Sequence, residues 1–175
     1  LHLADGKDYR LDRLKGMNVY HMPSGPEADA ALNLTFDDLT DGRLGKPERI
    51  EFRGREIVVP KADGTVAQFG FDDLCGSPLG PGDFLAIAKR YRSVIISGVP
   101  LLNSERRDAA RRFVTLIDTL YDNHVHVMMS ADAPPQDLYS GDDWGFEFER
   151  TVSRLMEMQS ADYVEFTRSD TAVAA

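Results

Sequence analysis

The chain has 175 residues, 42% hydrophobic and 28% charged, which is the balance of one ordinary globular domain and excludes a disordered segment. Its formal net charge of −9 repels a polyanion, so nucleic acid is not an expected partner. The single cysteine, Cys75, can form neither an internal disulfide nor a zinc knuckle; it fits a reducing compartment and reads as a small buried hydrophobe.

No apolar run approaches the roughly 18 residues of a spanning helix, and the amino terminus shows no basic-then-apolar targeting pattern. A cytoplasmic location, at most peripheral to a membrane, is therefore expected. The opening LHLADGKDYRL alternates as a strand does and starts with Leu1 rather than Met, so the chain is expected to begin inside a larger fold.

The turn-rich passage Met22 to Glu27 leads into a helix predicted over Glu27 to Leu39, with Ala31, Leu32 and Leu39 as its apolar contacts and Gly42 just beyond its end. Glycine and proline in GRLGKP then mark a boundary. Ile50 and Phe52 alternate with Arg49, Glu51 and Arg53, the period of a strand with one face in water. A turn at Gly54, the strand Arg55 to Lys61, a turn at Ala62 to Gly64 and the strand Thr65 to Phe71 complete an antiparallel meander.

The segment Asp73 to Phe84 reads as a structured loop entering a helix, with Asp83 as its cap and Phe84, Ile87, Ala88 and Tyr91 along one stripe. The run Val94 to Ile96 is a buried strand stopped by SGVP. Asn103 or Ser104 caps a long helix with Ala109, Phe113, Leu116, Ile117 and Leu120 on one face, Arg106, Arg107, Arg111 and Asp118 elsewhere, and Asn123 at its end. HVHVMMS is a second buried strand, and Phe146 to Met158 a last helix. Strand, long connection, strand implies a parallel pair with a right-handed crossover. The repeated FDDL, at Phe36 and Phe71, reads as an aspartate-rich start to a helical turn.

The predicted fold is thus α/β: a small antiparallel β-meander joined to a strand-helix-strand parallel unit with flanking helices. One domain is expected over 1–166, with an opening strand and helix (1–47), the meander (48–72) and the α/β unit (73–166), followed by a flexible tail (167–175).

Phosphoryl chemistry on such a fold needs glycines for close backbone approach, a Lys for the phosphates and a Ser or Thr hydroxyl for magnesium. Gly76 to Gly82 offers neither Lys nor a hydroxyl in register. An acidic pair ending an apolar strand would hold the magnesium, but Val94 to Ile96 is followed by Ser97 and Gly98. No catalytic residue and no metal site are therefore expected in these residues. His124 and His126 are expected to share a strand face but lack a third ligand, and Ser130, His126 and Asp118 have no GxSxG elbow around the serine. Arg150 and Arg154, four apart on one helix face, suit phosphate recognition; the alternative is local pairing with Glu147 and Glu157. Met156 and Met158 read as packing.

SADAPPQDLY, Ser130 to Tyr139, followed by FEFERTVSRLMEMQSADY, Phe146 to Tyr163, resembles the carboxyl-terminal part of the ZapE-like ATPases, the Afg or Lace type within the AAA+ class of P-loop proteins. DYRL at Asp8, FGFDDLCGSPLGPGDFLAIAKRY at Phe69 and ARRFVTLIDTLYDNHV at Ala110 resemble the same family in the same order. ERTVSRLMEMQS is the specific part. The resemblance implies an ATP hydrolase whose phosphate loop and magnesium carboxylates lie upstream of Leu1, with ATP and Mg2+ bound by the intact parent and neither by this fragment, which is inactive alone. It implies as partners the upstream ATPase core, further copies of the chain, and a protein client such as a division or membrane protein. The resemblance makes Arg150 and Arg154 candidates for sensing the γ-phosphate of nucleotide or for stabilising the transition-state charge, with neither role assigned to either residue. The competing reading is a protein-interaction module that never touches nucleotide.

Overall fold

A computed structural model describes residues 19–141, 145–163 and 167, with the backbone alone at 145 and 146. The strands are β1 (Tyr20–His21), β2 (Lys46–Phe52), β3 (Arg55–Asp63), β4 (Val66–Gly70), β5 (Ser93–Val99) and β6 (His126–Ala131). The helices are α1 (Pro26–Leu39), α2 (Phe71–Cys75), α3 (Pro81–Arg90), α4 (Arg107–Asp122) and α5 (Gly145–Met158). The expected strand at Leu1 to Leu11 lies outside the described residues, and of the tail only Thr167 is described, buried.

The six strands among the described residues form one sheet in the order β1-β6-β5-β4-β3-β2. The meander and the parallel unit join by sharing a strand: β4 pairs antiparallel with β3 and parallel with β5. β5 and β6 are parallel neighbours with α4 between them in sequence, and β1 adds in parallel on the far side of β6. At the β2–β3 turn, Arg53 (φ 49°) and Gly54 (φ 75°) are both left-handed, the backbone of a two-residue hairpin turn whose twist matches its strands.

Alternation along the central strands divides the core. Val94 and Ile96 of β5 and Val127 and Met129 of β6 face one side, which α2, α3, α4 and α5 cover with Phe71, Phe84, Ile87, Phe113, Leu116 and Leu155. Ile95 and Met128 face the other, against Leu32 and Phe36 of α1. Burial on both faces is why these strands read as continuous apolar runs, whereas β2 keeps Arg49 and Glu51 in water between half-buried Ile50 and Phe52.

Several local expectations change: β5 runs on through Ser97 and Gly98 to Val99, β3 continues through Ala62 to Asp63, and Asn103 caps a short 3-10 turn, Ser104–Arg106, ahead of α4 rather than α4 itself. Ala31 is only half-buried on α1, while Thr35 and Phe36 join Leu32 in the core. FDDL starts a helix only at Phe71; at Phe36 it forms the last turn of α1, because Phe36 there continues the buried stripe from Leu32. Asp83 is not the cap residue of α3 but lies three residues after Gly80, which caps it, and reaches back to accept the Gly80 N–H at 2.8 Å. His124 sits at φ 56° in the turn before β6, so it and His126 do not share a strand face.

Candidate functional site

α5 docks on α4 through a buried stripe, Phe148, Thr151, Leu155 and Met158, whose spacings of three, four and three follow the helical period. The stripe is extended by stacked rings, Phe113 on Phe148 with centroids 6.5 Å apart and Tyr121 on Tyr163 at 6.0 Å. Position 118 of α4 therefore faces positions 150 and 154 of α5 along the edge of this seam.

There the two predicted site residues converge. Arg150 donates through Nη2 to Asp118 Oδ2 at 3.0 Å, and Arg154 donates through Nη1 to Asp118 Oδ1. One carboxylate thus holds two guanidinium groups, one on each oxygen. Arg154 also lies over the Tyr121 ring, 4.9 Å from its centroid, a favourable cation–π placement. The Tyr121 hydroxyl donates to Glu157 Oε2 at 2.7 Å, and this hydrogen bond to a carboxylate raises the hydroxyl above its usual pKa. Glu157, expected beside Arg154, is thus engaged by Tyr121, and neither arginine shows the local glutamate partner that spacing suggests. The arginines differ in access: the side chain of Arg150 is 62% exposed and that of Arg154 21%.

The other sequence candidates are placed apart. Ser130 is buried at the carboxyl end of β6 and accepts the Gly98 N–H at 2.8 Å; His126 begins the same strand, and Asp118 is on α4, so the three do not meet. His126 is buried with no hydrogen-bond partner on either ring nitrogen among the described residues, and its burial lowers its pKa from 6.5 to about 4. Burial likewise pushes the Cys75 thiol well above its ordinary value, so it is no thiolate nucleophile. After Ile96, β5 continues through Ser97, whose hydroxyl donates to the Phe69 carbonyl at 3.4 Å, into Gly98 at φ 77°. Among the described residues no three His, Cys, Asp or Glu side chains cluster as metal ligands would.

The glycines of Gly76 to Gly82 meet structural demands. Gly76 closes α2, Gly80 opens α3, and a Cβ on Gly82 would stand 2.7 Å from the Phe52 ring. Asp83, 2% exposed, pairs with Arg55 Nη1 at 3.2 Å and ties this loop to β3. Two clefts, about 630 Å³ where β1 passes into α1 and about 340 Å³ between α2 and the start of α4, are not lined by Arg150 or Arg154.

A family model described as AFG1-like ATPase matches residues 1–167. This chain belongs to the AFG1-like ATPase family. Among curated proteins, the Lactation elevated protein 1 homolog B of Danio rerio is 35% identical over 92% of the chain and 39% of its own length. An uncharacterized protein of Schizosaccharomyces pombe is 33% identical over 93% of the chain and 42% of its own length, and the Cell division protein ZapE of Escherichia coli 30% identical over 94% and 44%. The chain thus spans about two fifths of the length of these relatives. No solved structure matches it at a significant level.

Membership in the AFG1-like family sharpens what the seam offers chemically. Hydrolysis of a phosphoanhydride needs positive charge directed at the phosphoryl oxygens. Arg150 and Arg154 are two cations brought together on one helix face, and forked donor sets of this kind suit phosphate or carboxylate oxygens in general. Sequence periodicity finds the pair but not Asp118, which it places only as facing away from the α4 core stripe. No helix among the described residues is long and apolar enough to cross a membrane.

Proposed function

We propose that this chain is the carboxyl-terminal domain of an ATP-hydrolysing AAA+ P-loop protein and that it completes or regulates the ATPase site or its assembly. The observation that carries this reading is the family match over residues 1–167 in a chain whose sequence has no glycine-rich loop ending in Lys and Ser or Thr. Phosphate loop and magnesium carboxylates then belong to an upstream core, which binds ATP and Mg2+, while the domain alone is inactive. Its contribution to nucleotide is the arginine pair; β5, Ser93–Val99, carries no acid to offer a metal.

Partners follow from the same reading: the upstream core, neighbouring copies, and a protein client. The name of the Escherichia coli relative, Cell division protein ZapE, 30% identical, supports a client in cell division; handling of membrane proteins is the other expectation, both from the cytoplasm or the membrane periphery. One observation favours the competing reading of a pure interaction module: both arginines are already paired inside the chain with Asp118.

Steady-state turnover of the intact protein separates the two. Arg150→Ala or Arg154→Ala lowers turnover if the seam senses nucleotide, and leaves it unchanged if the domain is an interaction module. Isothermal titration of the isolated domain with ATP and magnesium gives no tight binding under either reading, so tight binding there would contradict both.

A further inference from the structure

α1 buries one side only. Ala28, Leu32, Thr35 and Phe36 are buried, while Glu27, Ala30, Leu34 and Asp38, at spacings of three, four and four, form the opposite, exposed stripe. In the middle of that stripe Leu34 is 66% exposed. At the amino end of α1, Glu27 also lines the cleft of about 630 Å³, whose apolar wall is Met22, Pro23 and Pro26, with Met22 51% exposed. Charge around these apolar groups has one sign. No Lys or Arg occurs from Val19 to Gly42 or from Phe113 to Glu149, and the pairing of β1 with β6 brings these two stretches side by side. Every charged side chain of α1 is acidic and exposed: Glu27, Asp29, Asp37 and Asp38. Asp132, just past β6, is held at the cleft by Ser24, whose hydroxyl and backbone N–H both donate to its Oδ1. α1 covers the sheet face opposite to α4 and α5, so Arg150 and Arg154 do not balance this charge.

We propose that the outer face of α1 and the cleft at its amino end dock a basic amphipathic segment of a protein partner. Lys or Arg side chains of that segment meet Glu27, Asp38 and Asp132, and its apolar side chains cover Leu34 and the wall of Met22, Pro23 and Pro26. This names the chemistry of the protein client proposed above and rests on that partner, not on the arginine pair. Charge complementarity selects the occupant: an acidic segment is repelled from this face, and so is an anionic lipid surface. The apolar side chains fix where the segment lies, as anchors at helical spacing do when a helix or a groove takes an amphipathic partner.

The test measures binding of a fluorescein-labelled amphipathic peptide of Leu and Arg to the intact protein by fluorescence anisotropy, beside a Leu and Glu peptide of the same pattern. The basic peptide should bind at least about ten-fold more tightly, and equal binding overturns the charge argument. Glu27→Lys, Leu34→Gln and Met22→Ser, each checked by thermal melting, should each weaken the basic peptide about three- to five-fold, the scale of one partly exposed contact. Glu149→Lys, exposed on α5 across the sheet, makes the same change in net charge as Glu27→Lys and should move the affinity less than about two-fold. A loss in Glu149→Lys equal to that in Glu27→Lys means that the peptide reads overall charge, and overturns the site. Unchanged affinity in both Leu34→Gln and Met22→Ser overturns it as well. Sedimentation velocity tests the other occupant: self-association of the parent that is lost in Leu34→Gln means that a second copy takes this face, and overturns the client. Turnover of Arg150→Ala is read separately, so failure of the docking face and failure of the nucleotide reading are distinguishable.

Discussion

The buried carboxylate of Asp83 fastens the start of α3 to the start of β3, accepting the Gly80 N–H at 2.8 Å and pairing with Arg55 at 3.2 Å. The first contact satisfies one of the orphan donors at a helix start, and the negative charge also lies at the favourable end of the helix dipole.

Loss of the Asp83 carboxylate is expected to cost more than loss of its partner. Asp83→Ala removes a cap worth about 1 kcal/mol and an ion pair of similar order, so urea unfolding should show a loss of about 1–3 kcal/mol. Arg55 is half in water, and Arg55→Ala should cost about 1 kcal/mol or less. A larger loss for the arginine variant would mean that the capping contact is not the dominant one.

His126 makes stability fall with acid in a defined window. Its folded-state pKa of about 4 lies below the ordinary 6.5, because burial without a partner disfavours the imidazolium. The unfolded chain therefore takes up the proton first as pH falls from about 6.5, stability declines toward pH 4, and the loss saturates below that. The full effect is roughly 3 kcal/mol, from a shift of about 2.5 units at 1.36 kcal/mol each. Carboxylates contribute to acid unfolding as well, so the informative quantity is a difference. His126→Leu, which has nothing to titrate, should be less pH-dependent than the parent by that amount between pH 6.5 and 4, and parallel curves would show that the imidazole is not dry.

Periodicity revealed most of the sheet and helices because each follows from local spacing: the stripe Phe84, Ile87, Ala88 and Tyr91 is buried as expected, and Asn123 does end α4. The seam was half legible. Arg150 and Arg154 are local neighbours on one helix, but Asp118 lies 32 and 36 residues earlier in the chain, and only the packing of α5 on α4 brings it to them. Glu147 and Glu157 looked like the partners because sequence spacing sees only the same helix. His124 was misplaced for a similar reason: alternation in HVHV suggests a strand, while the α4 end needs a left-handed residue before β6 begins.

Gly82 should change sign with its neighbour. Alanine is better than glycine inside a helix by about 1 kcal/mol, yet a Cβ at position 82 would meet Phe52 ring carbons at 2.7 and 2.9 Å. Gly82→Ala is expected to destabilise the protein by about 1–2 kcal/mol through forced movement of that half-buried ring. In a Phe52→Ala background the obstruction is gone, and the same substitution should stabilise by up to about 1 kcal/mol. A double-mutant cycle by thermal or urea unfolding reads the coupling, and additive effects would show that the ring moves aside freely.

Tyr163 closes the far end of the α4–α5 seam, and its hydroxyl has a different task from its ring. The ring stacks on Tyr121 at 6.0 Å, while the hydroxyl donates to the Val125 carbonyl at 2.6 Å, just before β6. Tyr163→Phe keeps the stacking and leaves that buried carbonyl without this donor, an expected loss of about 1–2 kcal/mol. Tyr163→Ala removes both and should cost about 3–5 kcal/mol, the scale of deleting a buried aromatic side chain. Because the ring also backs Tyr121 under Arg154, hydrogen exchange at the α5 amides should rise in the alanine variant and stay near the parent level in the phenylalanine one. Equal exchange in both would mean that the hydroxyl, not the stacked ring, fastens α5 to the sheet.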